Sequence, residues 1–218
     1  MQVSIIKEGR LACGWADVHF IGNSRQGLGV GEDAHSYAVI VQAGVGVASH
    51  KSGDAANDGG SWESITAGDV LCCAVDFHRR LIRFARNGNW DEKESFRIRH
   101  VQTSNAFIPC VSFQRGSKVS INLGSTPFRY PPPRGHRSVF RWICRRKEIM
   151  HAEQHAPHFG RIVSLMLGDS DVPVSDSNTT IEVKVGTFQT FSLGGVLLTD
   201  GRWYYEVCRD RKTKKLLP

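Results

Sequence analysis

The stretch that decides the fold is GDVLCCAVDFHRRLIRFARNG, residues 68–88. Residues 70–75 form a short, wholly apolar run bounded by Gly68-Asp69 and by His78-Arg79-Arg80. After the basic turn, Leu81, Arg83 and Ala85 alternate with Ile82, Phe84 and Arg86, so one face holds the apolar Ile82 and Phe84. A period of two is the signature of a strand. Asn87-Gly88 then supplies the positive-φ positions that a two-residue hairpin turn needs. In the first run the adjacent Cys72 and Cys73 must point to opposite faces. The stretch reads as two antiparallel strands closed by tight turns.

Similar short strands extend outward on both sides. VSIIKEGRLACGWAD (3–17) gives two strands around Glu8-Gly9, and SYAVIVQAGVGV (36–47), AFIPCVSF (106–113) and KVSINLG (118–124) follow. Strands repeating at this spacing without intervening helices predict an all-β fold, a bent antiparallel β-sandwich over residues 1–125. Its expected core includes Trp15, Val70, Val75, Phe84, Ile108 and Val111, and Trp15 and Trp62 each carry an N–H that needs a partner. After Gly124 the character changes. STPFRYPPPRGHRS (125–138) is proline-rich, cannot continue a sheet and is expected to run extended over the surface. In VFRWICRRKEIMHAEQHA (139–156), Phe140, Ile143, Lys147 and Met150 recur at helical spacing. Strand signals resume in RIVSLML (161–167), TTIEVKVG (179–186), FQTFSLGGVLL (188–198) and GRWYYEV (201–207).

Composition narrows the function classes. The chain has 218 residues and a net charge of +7. Residues 134–161 carry seven Lys/Arg against two Glu, and residues 209–215 carry five against one Asp. Together these two stretches exceed the whole net charge, so the remainder is slightly acidic. Basic segments of this kind bind nucleic acid weakly, through phosphate charge and without sequence readout, so no specific nucleic-acid partner is expected. No apolar run approaches the length of a membrane span, and MQVSIIKEGR does not read as a signal peptide. The six cysteines (Cys13, Cys72, Cys73, Cys110, Cys144, Cys208) share no CxxC spacing. They read as buried free thiols of a reducing compartment, which predicts a cytoplasmic protein.

No catalytic constellation stands out. GxSxG and Walker-type loops are missing, and GLGVGED (27–33) is a turn rather than a nucleotide-binding loop. Cys144, Glu148, His151 and His155 would align on one helical face, but without a CxxC or HExxH anchor they read as a solvated surface, so no metal and no cofactor is expected.

Six segments in order then carry a family likeness. GWAD (14–17), GLGVGEDAHSYAV (27–39), SWESITAGDVLCCAVDF (61–77), RFARNG (83–88), AFIPCVSF and INLG (121–124) resemble the SPRY (B30.2-like) domain. The subgroup is similar to the repeats of ryanodine receptors and of giant multidomain ubiquitin-ligase proteins. Domains of this family open with G-x-WYYEV. The N-terminal copy here begins inside that strand, while residues 201–207 repeat it in full after VGTFQTFSLGGVLLTD (185–200). The resemblance therefore implies a SPRY-like domain at 1–130 lacking its first segment, a Pro-rich then basic His-rich linker at 131–161, and the N-terminal fragment of a second SPRY-like domain at 162–218.

The function implied is non-catalytic protein–protein recognition, by a module from a tandem array in a larger protein. The alternative is a fragment of a large ubiquitin ligase or intracellular calcium-release channel whose activity lies outside this chain. Partners would be a protein, a peptide or neighbouring domains, docked on loops 22–35, 49–62 and 87–95, with His50, Lys51, Asn89 and Trp90 as contacts. The open edge of the first domain suggests that residues 180–207 complement it, in cis or in a strand-swapped dimer. Residues 2–6 are expected to keep the slot that WYYEV also claims, because their hairpin is local, leaving strand 203–207 beside the sheet or frayed.

Overall fold

The computed structural model describes residues 10–23, 26–52, 55–56, 59–90, 95–98, 106–114, 118–141, 162–164, 180–182, 189–193 and 198–209. Two antiparallel sheets pack face to face. The first contains β1 (Leu11–Asp17), β2 (Ser36–Gln42), β3 (Val45–Ser49), β6 (Gly59–Trp62), β10 (Phe107–Phe113), β13 (Ile162–Ser164) and β15 (Gln189–Leu193). Their order is β13-β15-β10-β1-β2-β3-β6. Two-residue strands β4 (Lys51–Ser52) and β5 (Ala55–Ala56) pair with each other beside it.

The second sheet contains β7 (Val70–Asp76), β8 (Leu81–Arg86), β9 (Ser95–Arg97), β11 (Lys118–Asn122), β14 (Thr180–Glu182) and β16 (Arg202–Arg209). Its order is β14-β11-β16-β7-β8-β9, with the short β12 (Arg137–Ser138) pairing in parallel to β16. The sandwich expected from the alternating strands is therefore the fold observed.

The opening hairpin signal at 68–88 folds as read. Leu71 to Asp76 pair with Arg86 to Leu81. Asn87 (φ 52°) and Gly88 (φ 74°) make the tight turn that follows. Gly88 has a second reason to be glycine, since a Cβ there would stand 2.8 Å from Tyr130. Ile82 and Phe84 join Leu71, Cys73 and Val75 in the central core, while Cys72 points to the opposite face.

Between the sheets, Trp15 meets Tyr205 edge to face at 5.0 Å, and Sγ of Cys13 lies 3.8 Å from Sγ of Cys73. Trp15, Val70, Val75, Phe84 and Val111 are buried as expected; Ile108 is half-buried, because it faces away from the central core. Trp62 is half-buried too, and the Trp15 indole N–H has no hydrogen-bond partner among the described residues. The described cysteines are free thiols, four of them buried. Desolvation pushes the Cys72 thiol up to about 12 and Cys110 higher still.

Neither outer face is bare. The loop after β1 lays Phe20 and Val30 over Ala12, Ala16, Ala38 and Cys110 of the first sheet. The Pro-rich segment crosses the second sheet as a strap, packing Phe128 and Tyr130 against Val70, Cys72, Ala74 and Tyr204. The strap on one face and the opposing sheet on the other explain why both Cys72 and Cys73 are buried although they point opposite ways. A helical turn begins at 139–141; the rest of the helix-like stretch, the Glu8-Gly9 turn, residues 2–6 and the Cys144–His155 group lie outside the described residues.

One expectation is overturned. Strand 203–207 neither frays nor lies beside the sheet: β16 is inserted between β7 and β11, antiparallel to both. Locality of a hairpin is a loop-closure advantage, and it grows only slowly with loop length. Burial of a Trp-Tyr-Tyr triplet and a string of specific hydrogen bonds outweighs it. Trp203, Tyr205 and Val207 enter the central core. The Trp203 indole N–H donates to the Asp200 carbonyl at 2.5 Å, and the Tyr205 hydroxyl donates across the sandwich to the Gly14 carbonyl.

On the outer side the Tyr204 hydroxyl donates to Glu206, whose carboxylate also accepts from the backbone N–H of Arg129 (3.1 Å) and Tyr130 (3.0 Å). Glu206 is only 3% exposed, so the strap is tied to β16 by a buried carboxylate whose oxygens are all engaged. Arg202 closes the start of the strand with an ion pair to Asp76 at 3.2 Å.

Candidate partner-binding surface

The sandwich has two loop-bearing ends. At one, β1 finishes in Asp17, whose Oδ1 accepts the His19 N–H (2.7 Å) and whose Oδ2 pairs with His35 Nδ1 (3.0 Å). His19 and His35 stand with ring centroids 5.6 Å apart. Asp33 braces the return into β2, accepting from the His35 N–H at 3.0 Å and from the Ser36 hydroxyl at 2.5 Å. Within this frame the turn 18–21 divides its apolar side chains. Phe20 packs down on the first sheet, whereas Val18 is 44% and Ile21 85% exposed. Val18 and Ile21 thus make a small exposed apolar step beside the Asp17–His35 pair.

The four residues singled out in the sequence fall into two pairs that the fold separates. His50 and Lys51 follow the end of β3, at the same end as Asp17 and His35. His50 is 9% exposed, stacked on Tyr37 with ring centroids 3.9 Å apart, and its Nδ1–H donates to the Ser36 carbonyl (2.9 Å). It shapes the surface from beneath, and Lys51 is exposed beside it. Asn89 and Trp90 lie at the opposite end: Gly44, before β3, accepts from Ile65, and Arg86 reaches the carbonyls of Glu63 and Ser64. Asn89 is exposed; Trp90 is half-buried, packed on Tyr204 and under the Arg83 guanidinium at 5.5 Å.

That second end is held by Asp69. Its carboxylate accepts from the Thr66 N–H (2.7 Å) and the Asn87 side-chain amide (2.6 Å), and pairs with Arg86 at 2.7 Å. Burial alone would raise its pKa; these hydrogen bonds and the Arg86 charge outweigh burial and hold it below the usual carboxylate range. Asn87 returns the favour to β7 by accepting the Val70 N–H.

Ser36, next to the Asp17–His35 pair, is fully buried, with its oxygen accepting from Gly31 N–H and its proton given to Asp33. Among the described residues no three His, Cys, Asp or Glu side chains gather to hold a metal ion. The Asp17–His35–His19 group and the exposed Ile21 escaped the sequence reading, although Asp17 ends the GWAD motif and alternation breaks there.

A β-sandwich with both faces covered and loops presented at its ends is the class of fold that these strands define. The model of the SPRY domain matches residues 2–126, and the chain belongs to the SPRY domain family. A curated relative, E3 ubiquitin-protein ligase RKP of Arabidopsis thaliana, is 28% identical over 130 residues, which is 60% of this chain and 10% of the relative. The chain thus spans about a tenth of the length of that protein. No solved structure matches. No helix among the described residues is long and apolar enough to cross a membrane.

Proposed function

We propose that this chain is a non-catalytic protein-recognition module that works within a larger protein, and that its partner docks on the end bearing Val18, His19, Ile21, His35 and Lys51. The observation that carries the reading is Ile21, 85% exposed on a turn whose flanks are fixed by Asp17 and Phe20. An apolar side chain presented on a rigid frame loses little entropy when a partner covers it. Asn89, at the other end, is a second contact point for a neighbouring domain, with Trp90 supporting it from below. The partner is a protein, a peptide or an adjacent domain, and the basic segments give no sequence-specific binding to nucleic acid.

In this reading residues 1–130 form the SPRY-like unit, 131–161 the linker, and 162–218 the opening third of a further unit in a tandem array, which here serves the first. The buried thiols suit a cytoplasmic setting. The likeness to a ubiquitin ligase favours a parent protein of that kind, with ligation carried out by domains outside this stretch.

The test is affinity capture from a cytosolic extract with the unaltered chain, Ile21→Asp and Asn89→Asp. A protein retained by the unaltered chain and by Asn89→Asp but lost by Ile21→Asp supports the docking end named here. Equal retention by all three contradicts it.

A further inference from the structure

We propose that six arginines gathered by the fold at one end of the second sheet form a docking surface for an extended, carboxylate-rich segment of a partner protein. This rests on the reading of the chain as a recognition module and gives the chemistry of what it recognises. It does not depend on the Val18–Ile21 turn.

The first observation is placement. Arg202 pairs with Asp76, Asp76 with Leu81 and Leu81 with Arg97, which sets one row across β16, β7, β8 and β9. Arg137 joins it from the strap, opposite Trp203. Arg79 and Arg80 occupy the turn between β7 and β8. The Arg79 N–H donates to Asp76 Oδ1 at 3.0 Å, and the Arg80 carbonyl accepts from the Ile98 N–H at 3.0 Å. The strap passes over Arg202 at Gly135 (φ 83°), where a Cβ would fall 2.6 Å from Nη1 of Arg202. That crossing brings Arg134 to the row as well. Five of the six side chains are exposed, and that of Arg202 is 36% exposed. They come from four separate stretches of sequence, so only the fold makes them one surface. The row stands at the end of the sandwich that carries Asp17, since Phe77 meets Phe107 (5.9 Å), the partner of Asp17.

The second observation is charge balance. Among the described residues the acids beside the row are Asp76 and Asp200. Asp76 is 5% exposed and already engaged by Arg202 at 3.2 Å and by the Arg79 N–H. No carboxylate among the described residues pairs with Arg79, Arg80, Arg97, Arg134 or Arg137. The excess reaches the half-buried His136 on the strap, whose pKa is lowered first by burial and then by the charge of Arg83.

The third is the kind of cation and the span. All six are arginine, whose planar fork grips a carboxylate through two parallel hydrogen bonds. Several are held by backbone pairing, so little freedom is lost when a partner arrives. From Arg137 on β12 to Arg97 on β9 the row crosses four strand spacings, about 19 Å. An extended segment of about six residues covers that length. A nucleic acid fits less well. Asp200, exposed two residues before Arg202, breaks a continuous phosphate track. Trp90, whose ring would otherwise stack a base, lies under Arg83 and against Tyr204.

The test measures fluorescence anisotropy with the full chain and a fluorescein-labelled peptide of repeated Glu-Ser pairs long enough to cross the row. The controls are the Gln-Ser peptide and a single-stranded DNA of the same net charge as the Glu-Ser peptide. The Glu-Ser peptide should bind saturably, the Gln-Ser peptide should not bind, and the DNA should bind more weakly. Arg97→Glu/Arg137→Glu should weaken peptide binding by at least about tenfold. Arg134→Glu, outside every strand, should weaken it in the same direction. Arg145→Glu/Arg146→Glu makes the same change of charge within the basic linker and should leave binding within about threefold. Thermal melting checks that each variant is folded. Ile21→Ser should bind the peptide as the unaltered chain does, so failure of this surface and failure of the docking turn are told apart. Equal losses in the two double variants, binding of the Gln-Ser peptide, or tighter binding of the DNA would each overturn the proposal.

Discussion

Tyr205 shows how one side chain joins the two sheets. Its ring packs edge to face on Trp15, and its hydroxyl donates to the carbonyls of Gly14 and Cys110 on β1 and β10. Its phenol is held well above the ordinary value, first by burial and then by the nearby thiols, so it stays a donor at any physiological pH. Tyr205→Phe removes the two hydrogen bonds and should cost about 1 kcal/mol, whereas Tyr205→Ala also opens a cavity and should cost about 3–5 kcal/mol. Urea titrations of the three chains check the difference. Gly14 is glycine for want of space: a Cβ there would fall 1.9 Å from the Tyr37 carbonyl on β2.

Asp69 gives a pH signature at the same scale. Its folded pKa is depressed, so its contribution is complete above the unfolded carboxylate value near ~3.9 and is lost as pH falls through the lower folded value. Asp69→Asn should lower stability at neutral pH and flatten the acid limb of the stability–pH curve. An acid limb as steep as that of the unaltered chain would contradict the role given to Asp69.

Among the elements, the strap is where sequence and structure diverge most usefully. Its prolines correctly announced an extended course over the surface, but proline chemistry says nothing about what lies beneath it. Its docking depends on Phe128, set at 4.6 Å from Tyr204, and on Glu206, a residue about 80 positions away. His136, further along the strap, has its pKa lowered first by burial and then by the charge of Arg83. A depressed base binds its proton more readily in the unfolded chain, so the stability held by a neutral His136 is full above about 6.5 and falls as pH drops through that value toward the folded pKa. Stability measured from pH 7.5 to 5.5 should therefore decline, and His136→Phe should remove that part of the decline. The hairpin at 70–86 and the Asn87-Gly88 turn that follows it, by contrast, were legible, because a period of two and an Asn-Gly pair are local signals that tertiary contacts only reinforce.

At the scale of the whole molecule, the class of fold and the ordered motifs could be read in advance, and the family follows from both. The position of WYYEV could not. The sequence holds two segments of similar strand pattern, MQVSII and GRWYYEV, and locality alone favours the nearer. What decides it is a set of partners spread over Gly14, Cys110, Arg129 and Tyr130, none of which is near residue 205 in sequence. The grouping of the loops escaped the sequence for a related reason. Loops announce themselves by composition, but which of them share an end depends on strand order, and that order places His50 and Asn89 apart.

Because β16 supplies the middle of the second sheet, removing residues 198–218 should do more than trim a neighbour. The shortened chain should lose its cooperative melting transition or melt far below the full chain, since it forfeits two buried Tyr and a buried Trp. A shortened chain with unchanged melting temperature and solubility would mean that the fragment contributes nothing.

The most direct test of the account is native-state hydrogen exchange on the intact chain, read at the amides of residues 202–209. If this strand is the centre of the second sheet, its amides should be protected as strongly as those of Val70–Asp76 and should open with them in one cooperative unit. Rapid exchange along 202–209, with 70–76 still protected, would contradict it.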